Sequence, residues 1–490
     1  MAIHRSSLRA TITELGDTGR IKTTIGTLPD VALLEIFNFF VDEAQADGWH
    51  TLVHVCRRWR DIAFASPVRL DLQIICTNKR PVRRLLDIWP ALAIKIQSVG
   101  TRTSIGDGAD DIFAALRHRE RVCHIGLSGL PRPLLKRLAA ATQEAFPALT
   151  GLELSSCHKR VPVFPDSFLG GSAPRLRSLS LDNIPFPALP KLLSTTDDLV
   201  NLRLTDIPPS GYVSPEAMLT GLSGLMRLEC LHLEFRSTQS PPGQISRQPP
   251  QTCIALPALL KLNFKGASEY LEVLVSRINA PILQWVCITF VEFVDQLLFN
   301  TSQLPQFIGR AEKFRALNRA EVVFDNVFVE IKLSQKINHA ILQLRISCDE
   351  LSSQLSSLAR ICGSFLPPLS TLERLHIHEG HYWHPHMQYE VQKTLWLELF
   401  LPFTAVKNLY LSKDLAIRIK SALQELTANR VTDVLPMLQN IFLKVPQRFR
   451  GVQEVVGQFV AARQLSGNPV VVHHWNTGTW VVVDTTSGGR

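Results

Sequence analysis

The chain has few features that would tie it to a secreted, membrane-bound or disulfide-rich class. Its nine cysteines are an odd number with no closely spaced pair, which favours a reducing compartment. No apolar run approaches the roughly 18 residues that cross a bilayer, and residues 1–26 lack the apolar segment of a signal peptide. We therefore predict a soluble protein of the cytoplasm or nucleus with no membrane partner.

Signatures of catalysis are equally scarce. There is no phosphate-binding glycine loop, no Gly-x-Ser-x-Gly elbow and no His-Glu-x-x-His helix. The formal net charge of +9 comes from basic residues scattered as singles and pairs, without the long basic run typical of nucleic-acid binding. The sequence thus predicts a protein that is not an enzyme, needs no cofactor or metal, and binds no nucleic acid.

What the chain does contain is a recurring string of apolar residues, Leu-x-x-Leu-x-Leu. It is clearest at 149–154, 176–181, 199–204 and 228–233. Thirteen copies end between Ile96 and Leu443, and their mean spacing of about 29 residues matches the period of leucine-rich repeats, about 20–29 residues. Alternation within each string predicts a short strand, and the residues between strings leave room for a helix, as at 110–118, 133–144, 269–277 and 415–426.

We therefore predict an α/β fold, a curved leucine-rich repeat solenoid with parallel strands on its concave face and helices outside. The alternative is an ordinary α/β domain whose buried parallel strands also appear as apolar runs. Sheets of that kind seldom exceed about ten strands, and they give no reason for one register to recur. A length of 490 residues also exceeds the roughly 250–300 residues at which a single core stops growing.

The N-terminal region predicts a helical docking module. Leu28 to about Val41 has the pattern of a helix capped by Thr27, with apolar residues on more than one face. A second apolar stretch of helical spacing runs to Ser66 and places Trp59 among arginines, the composition of an interface anchor. More apolar surface is present than a domain this small can bury, which implies a partner.

Two strings in this region, Leu28-Pro29-Asp30-Val31 and Val55-Cys56-Arg57-Arg58-Trp59-Arg60, resemble the two ends of an F-box. The resemblance covers residues 24–67, and the continuation through 69–96 looks like the way in which many fungal, basidiomycete-like F-box proteins pass into a leucine-rich repeat domain. It departs from the family at Val31, in the long polar stretch 42–50 and at Val68, where the family's closing tryptophan is missing. The resemblance implies binding to the Skp-type adaptor of a cullin-RING ubiquitin ligase. The residues it assigns to that contact are Leu28, Pro29, Leu34, Ile36, Phe37, Leu52, Val55 and Trp59.

The predicted domain organisation follows from these two regions. Residues 1–23 are a tail expected to be disordered, 24–67 the F-box, 68–465 a degenerate solenoid, and 466–490 a C-terminal strand pair or cap and tail. We predict a substrate-recognition subunit of an SCF-type ligase whose repeats bind a protein target. The alternative is a repeat scaffold that binds proteins without any link to ubiquitination.

The residues between the paired apolar positions are expected to face outward on the concave side, Asp325 among them. From Arg345 onward they are basic and aromatic, which suits an acidic or phosphorylated segment. The candidate target-binding residues are Arg203, His232, Lys265, Arg345, His376, His378, Tyr410, Phe442 and Lys444.

A histidine-rich stretch, 376–386, contains five imidazoles in eleven residues. Imidazoles this close are able to bind a transition metal, so an enzyme that uses this stretch is a second alternative. His376 and His378 belong to a repeat strand, and the other three fall in a predicted loop with no second ligand set nearby in sequence. We therefore favour solvated histidines over a metal site.

Overall fold

The computed structural model describes residues 25–44, 49–77, 82, 86, 91–98, 109–237, 253–291, 303–336, 339–364, 369–380, 393–429, 433–444 and 450–474. The predicted N-terminal tail and the second of the two predicted C-terminal strands lie outside these residues.

A single sheet of sixteen strands runs through the described chain. Its first seven strands pair in parallel and in sequence order, the next two pairings join β7 to β9 and β9 to β11, and β15 to β18 are again parallel and consecutive. The two-residue strands β8 and β10 form a separate small sheet. The strands are β1 (Gln73–Thr77), β2 (Ala93–Gln97), β3 (Val122–Leu127), β4 (Gly151–Ser155), β5 (Ser178–Asp182), β6 (Asn201–Ile207), β7 (Cys230–Phe235), β8 (Ile254–Ala255), β9 (Lys261–Gly266), β10 (Ile278–Asn279), β11 (Trp285–Phe290), β12 (Arg319–Phe324), β13 (Phe328–Lys336), β14 (His339–Ser347), β15 (Arg374–Glu379), β16 (Asn408–Leu411), β17 (Asn440–Leu443) and β18 (Val471–His474).

The recurring string accounts for this sheet. Each of the thirteen predicted copies ends in a strand, and its paired apolar residues are buried, as at Leu179 and Leu181 (1% and 3% exposed). Because side chains alternate along a strand, the residues between them fall on the opposite face. The predicted α/β repeat architecture, with a long and mostly parallel sheet, is confirmed.

One part of the sheet departs from the prediction of parallel strands throughout. The order across the middle is β11-β14-β13-β12-β15, with β13 antiparallel to both of its neighbours. The strings that end at Phe324 and Ile346 were predicted to be consecutive repeats, but the inserted strand β13 separates them in the sheet. That strand buries Val329, Ile331 and Leu333, so it shares the same core.

The helices lie on one side of the sheet, where successive helices pack against each other. The four predicted repeat helices are confirmed, with shifts of at most three residues at their ends. The helices are α1 (Asp30–Ala44), α2 (Trp49–Val53), α3 (Arg57–Ala65), α4 (Ala109–Leu116), α5 (Arg132–Ala141), α6 (Leu189–Leu193), α7 (Pro215–Leu222), α8 (Ser268–Arg277), α9 (Gln303–Arg310), α10 (Leu351–Ser364), α11 (Lys393–Phe400), α12 (Lys413–Asn429) and α13 (Arg450–Leu465).

The three N-terminal helices join the sheet directly. The indole of Trp49 donates to the carbonyl of Gln73 on β1 at 3.2 Å, and Leu70 and Leu72 in the connection are buried. Helix α1 begins at Asp30, two residues later than predicted, and Pro29 supplies its first carbonyl, to Leu33; Thr27 lies in a 3-10 turn before it. None of the described helices is both long and apolar enough to span a membrane.

Candidate protein-interaction site

The two N-terminal strings meet in space, through Asp30 and Arg58, which are 28 positions apart in sequence. The Arg58 guanidinium donates to the Asp30 carboxylate and to the Leu28 carbonyl, both at 2.6 Å. Trp59 packs against Phe37 with ring centroids 4.9 Å apart. The thiol sulfur of Cys56 accepts from the Trp59 backbone N–H and so caps α3. The resemblance thus rests on residues that form one local structure.

Helix α1 has a buried stripe and an exposed apolar stripe. Leu33 and Phe37, one turn apart, are fully buried against the neighbouring helices. On the other side Val31 and Phe39 are each 66% exposed, and Ile36 is 42% exposed. Ile36 lies three residues before Phe39 and four before Phe40, and residues at these spacings are neighbours on a helix surface. We call the surface formed by Val31, Ile36, Phe39, Phe40 and Val55 the apolar patch; all five are exposed side chains.

The predicted adaptor-binding residues divide between this patch and the interior. Phe37 and Leu52 are buried, so the expectation that they present surface to a partner is corrected: they form the core of the helical module. Leu28, Leu34 and Trp59 are half-buried, whereas Pro29, Ile36 and Val55 are exposed. Phe39 was not predicted, because the run Phe37-Asn-Phe39-Phe40 does not by itself show which of its three rings is buried.

The sheet face opposite the helices, which we call the open face, corresponds to the predicted concave side. Strand register aligns one residue from each strand into a central row across it. The row consists of Thr77, Gln97, Gly126, Glu153, Ser180, Arg203, His232, Asn263, Cys287, Gln343, Lys332, Glu321, His376, Tyr410, Phe442 and His473.

The last four members of the central row form a continuous stack of rings, which we call the aromatic ladder. Ring centroids are 3.9 Å apart for His376 and Tyr410, 4.4 Å for Tyr410 and Phe442, and 4.7 Å for Phe442 and His473. The interplanar angles are 3°, 7° and 15°. His473 also lies 3.1 Å from the Asn440 side-chain oxygen. His473 was not predicted, because its string lacks the Leu-x-x-Leu register.

Several predicted target-binding cations are already paired within the sheet. Lys265 donates to Glu234 at 2.6 Å, and the hydrogen bond from His232, helped by Lys265 and opposed by burial, lowers the pKa of Glu234 to about 2. Arg203 has no ion-pair partner within the described sheet and is exposed, and Lys444 is exposed just beyond β17. Asp325 does not face outward as expected; it is 2% exposed in the turn after β12.

A buried carboxylate, Glu330 on the inserted strand, holds the middle of the open face together. It is 2% exposed and accepts from Arg345 at 3.0 Å and from Lys332 at 3.1 Å, with Gln343 as a third donor. The Arg345 guanidinium also lies 4.3 Å over the Phe328 ring. Arg345 is therefore a structural residue as well as a surface cation.

The pKa values of the two strand histidines of the predicted site are shifted in opposite directions. Burial and the nearby Arg319 lower the pKa of His376 to about 3, so this imidazole is neutral at physiological pH. Burial also acts to lower the pKa of His378, but hydrogen bonds to Glu321 (2.9 Å) and to the Glu379 carbonyl (3.0 Å) outweigh it and raise the pKa. The same bond to His378 lowers the pKa of Glu321 to about 2.

The His378–Glu321 pair predicts a pH-dependent contribution to stability. The raised pKa of His378 gives stabilisation that is present below about pH 6.5 and lost as the pH rises through the folded-state pKa; the lowered pKa of Glu321 gives stabilisation lost as the pH falls below about 4.5. We expect His378→Gln to lower the free energy of unfolding by about 1–2 kcal/mol more near pH 5.5 than near pH 8.5. Urea unfolding of both proteins at the two pH values measures this, and an equal loss at both would contradict it.

The earlier half of the open face contains a polar groove of about 410 Å³. Glu153 and Arg203 line it, and Asp182 accepts from the Thr205 hydroxyl at 3.0 Å. Both charge signs are present, so the groove has no single preferred counter-charge.

The described part of the histidine-rich stretch is committed to other contacts. His376 stacks on Tyr410, and His378 is bound to Glu321. Residues 381–386, with the other three histidines, lie outside the described residues. Within the described chain no group of three or more histidine, cysteine or acidic side chains has the geometry to hold a metal ion.

No protein-family model and no curated protein matches this chain. A solved structure that does match is the leucine-rich repeat-containing protein LegL7 from Legionella pneumophila. The alignment covers 79% of this chain and 97% of that one, at 13% identity and a TM-score of 0.26.

A TM-score this low adds nothing to the fold assignment. The architecture rests on the strands themselves: their parallel pairing, their common register and the helices packed along one side, which are the features of a leucine-rich repeat solenoid. Such a sheet offers a long surface lined by one side chain from each strand.

Proposed function

We propose that this chain is a non-catalytic substrate-recognition subunit of an SCF-type cullin-RING ubiquitin ligase, acting in the cytoplasm or nucleus. Its N-terminal helices bind the Skp-type adaptor, and the open face of the repeats binds a protein target. The subunit contributes positioning, because holding a target beside the ligase raises the effective concentration of the target's lysines.

The observation that carries the proposal is the apolar patch on the N-terminal helices. Three of its side chains, Val31, Phe39 and Val55, are more than half exposed to solvent. Exposed apolar side chains grouped as Ile36, Phe39 and Phe40 are on α1 are typical of a protein-binding site. The patch lies on the segment that resembles the F-box, next to the Arg58–Asp30 link between its two strings.

The connection to the sheet supports the same proposal. Trp49 and the buried Leu70 and Leu72 join the helices to β1, and Arg69 pairs with Glu35 of α1. A direct join of this kind keeps the open face at a fixed orientation to whatever the helices bind.

Reconstitution tests the proposal. The full chain is mixed with a Skp-type adaptor, a cullin-RING ligase and its ubiquitin-charged enzyme, and ubiquitin transfer to this chain's own lysines is followed. Transfer that requires the adaptor supports the proposal. If transfer is the same with and without the adaptor, the alternative of a protein-binding scaffold outside ubiquitination stands.

A further inference from the structure

Two arginines lie side by side on the open face, at the beginning of the aromatic ladder. Arg319 on β12 and Arg374 on β15 are register partners in a parallel pair, so their Cα atoms are about 4.8 Å apart. Glu321 and His376, two residues further along the same strands, share their side of the sheet. A distance of 3.8 Å between Arg319 and Glu321 agrees with this placement.

Neither arginine has a close carboxylate of its own. Glu321 is 3.8 Å from Arg319 but 2.9 Å from His378, which it holds more tightly. Among the described residues Arg374 has no ion-pair partner, since the adjacent Glu373 is bound to Lys407 at 2.6 Å. The Arg319 side chain is only 9% exposed, so its guanidinium is poorly solvated, and this burial lowers its pKa.

Positive charge is in excess across this part of the open face. Four cations face two carboxylates, and one of those carboxylates, Glu330, is nearly inaccessible. The cations are Arg319, Lys332, Arg345 and Arg374, and the carboxylates are Glu321 and Glu330.

The aromatic ladder adds to the attraction for an anion. Each inner ring has its two faces covered by its neighbours, so the accessible parts are ring edges. The edge of an aromatic ring carries the positive part of its quadrupole. Tyr410 is the register partner of His376, two residues beyond Arg374 along β15, and its phenol group carries a hydroxyl of the donor type.

We propose that Arg319 and Arg374, with Tyr410 beside them, form a binding site for the carboxylates of an extended acidic peptide segment. The segment lies along the aromatic ladder, and an excess of two cations matches two singly charged side chains. Paired guanidinium groups favour carboxylates through charge-assisted hydrogen bonds. This inference rests on the proposed function, because it names the chemistry of the target that the open face would hold.

Calorimetric titration of the full chain with an octaglutamate peptide tests the site, with octalysine as the opposite-charge control. We expect octaglutamate to bind, octalysine not to bind, and Arg374→Gln to weaken octaglutamate binding about 5–10-fold. The matched control is Arg132→Gln, which removes an exposed arginine at the start of α5, away from the open face, and leaves the affinity unchanged. Arg374→Lys keeps the positive charge but loses the paired N–H donors of the guanidinium. Its affinity for octaglutamate is expected to lie between those of the wild type and Arg374→Gln.

Equal affinity of the wild type and Arg374→Gln, or equal weakening by Arg132→Gln, overturns the inference. Circular dichroism of each variant shows that the change is not loss of fold. Adaptor binding is measured on the same preparations: if it is intact while octaglutamate fails to bind, the acidic-peptide site alone is rejected.

Discussion

Ile36→Asp combined with Phe39→Asp is expected to weaken binding of the Skp-type adaptor at least about 100-fold, equivalent to about 2.7 kcal/mol. Both side chains are exposed members of the apolar patch on α1, so aspartate is tolerated in the free protein. In a complex the two carboxylates would have to be buried without partners, which is strongly unfavourable. Biolayer interferometry with immobilised adaptor measures the loss.

The matched control is Val327→Asp. Val327 is 59% exposed in the turn between β12 and β13, far along the sheet from the helices. This variant adds the same charge to another exposed apolar site and leaves adaptor affinity unchanged. Phe37 and Trp59 are poorer choices, because their rings pack together inside the module and their loss would unfold it. An unchanged affinity of the double variant would contradict a role for the patch.

Arg345→Met is expected to lower the free energy of unfolding by about 2–4 kcal/mol, because it leaves the Glu330 carboxylate buried with Lys332 as its one remaining close cation. Urea denaturation followed by circular dichroism measures the change. The double variant Arg345→Met with Glu330→Leu removes both members of the pair, and most of the lost stability is then recovered. A single variant as stable as the wild type would contradict a structural role for Arg345.

The repeat pattern was sufficient to predict most of the fold. The Leu-x-x-Leu-x-Leu register specifies both the strand and the side that is buried, so residues such as Leu152 and Leu231 were placed without knowledge of tertiary contacts. The inserted strand β13 was missed because Val329, Ile331 and Leu333 alternate without the leading leucine of a repeat. Only two residues separate β13 from β14 in sequence, a spacing typical of hairpins, and this signal was overlooked.

The candidate site could be predicted in outline but not in detail. Tyr410 and Phe442 fall in the central row as expected, since alternation alone decides which way they face. The cations that remain available to bind a target depend on ion-pair partners from other strands. Arg345, for example, is bound to Glu330, which lies on β13, the strand that the repeat pattern did not predict. Arg374 was not predicted, because it lies one residue before the paired apolar residues Leu375 and Ile377. The prediction considered only the residues between and after such a pair.

The N-terminal module shows a similar limit. Apolar residues on more than one side of α1 predict a partner, but periodicity does not say which side is inside. The packing of Trp59 on Phe37 decides this, and it depends on α3, which is distant in sequence. Because the Phe37 side of α1 is buried in this way, Phe39 is left exposed.

In the proposed function the N-terminal helices bind a Skp-type adaptor while the repeats remain free to hold a target. Isothermal titration of the purified full chain with the adaptor alone tests this binding most directly. We expect a one-to-one complex for the wild type and for Val327→Asp, with no measurable heat of binding for Ile36→Asp with Phe39→Asp. Absence of binding by the folded wild-type chain would contradict the claim and leave a repeat scaffold whose helices serve another partner.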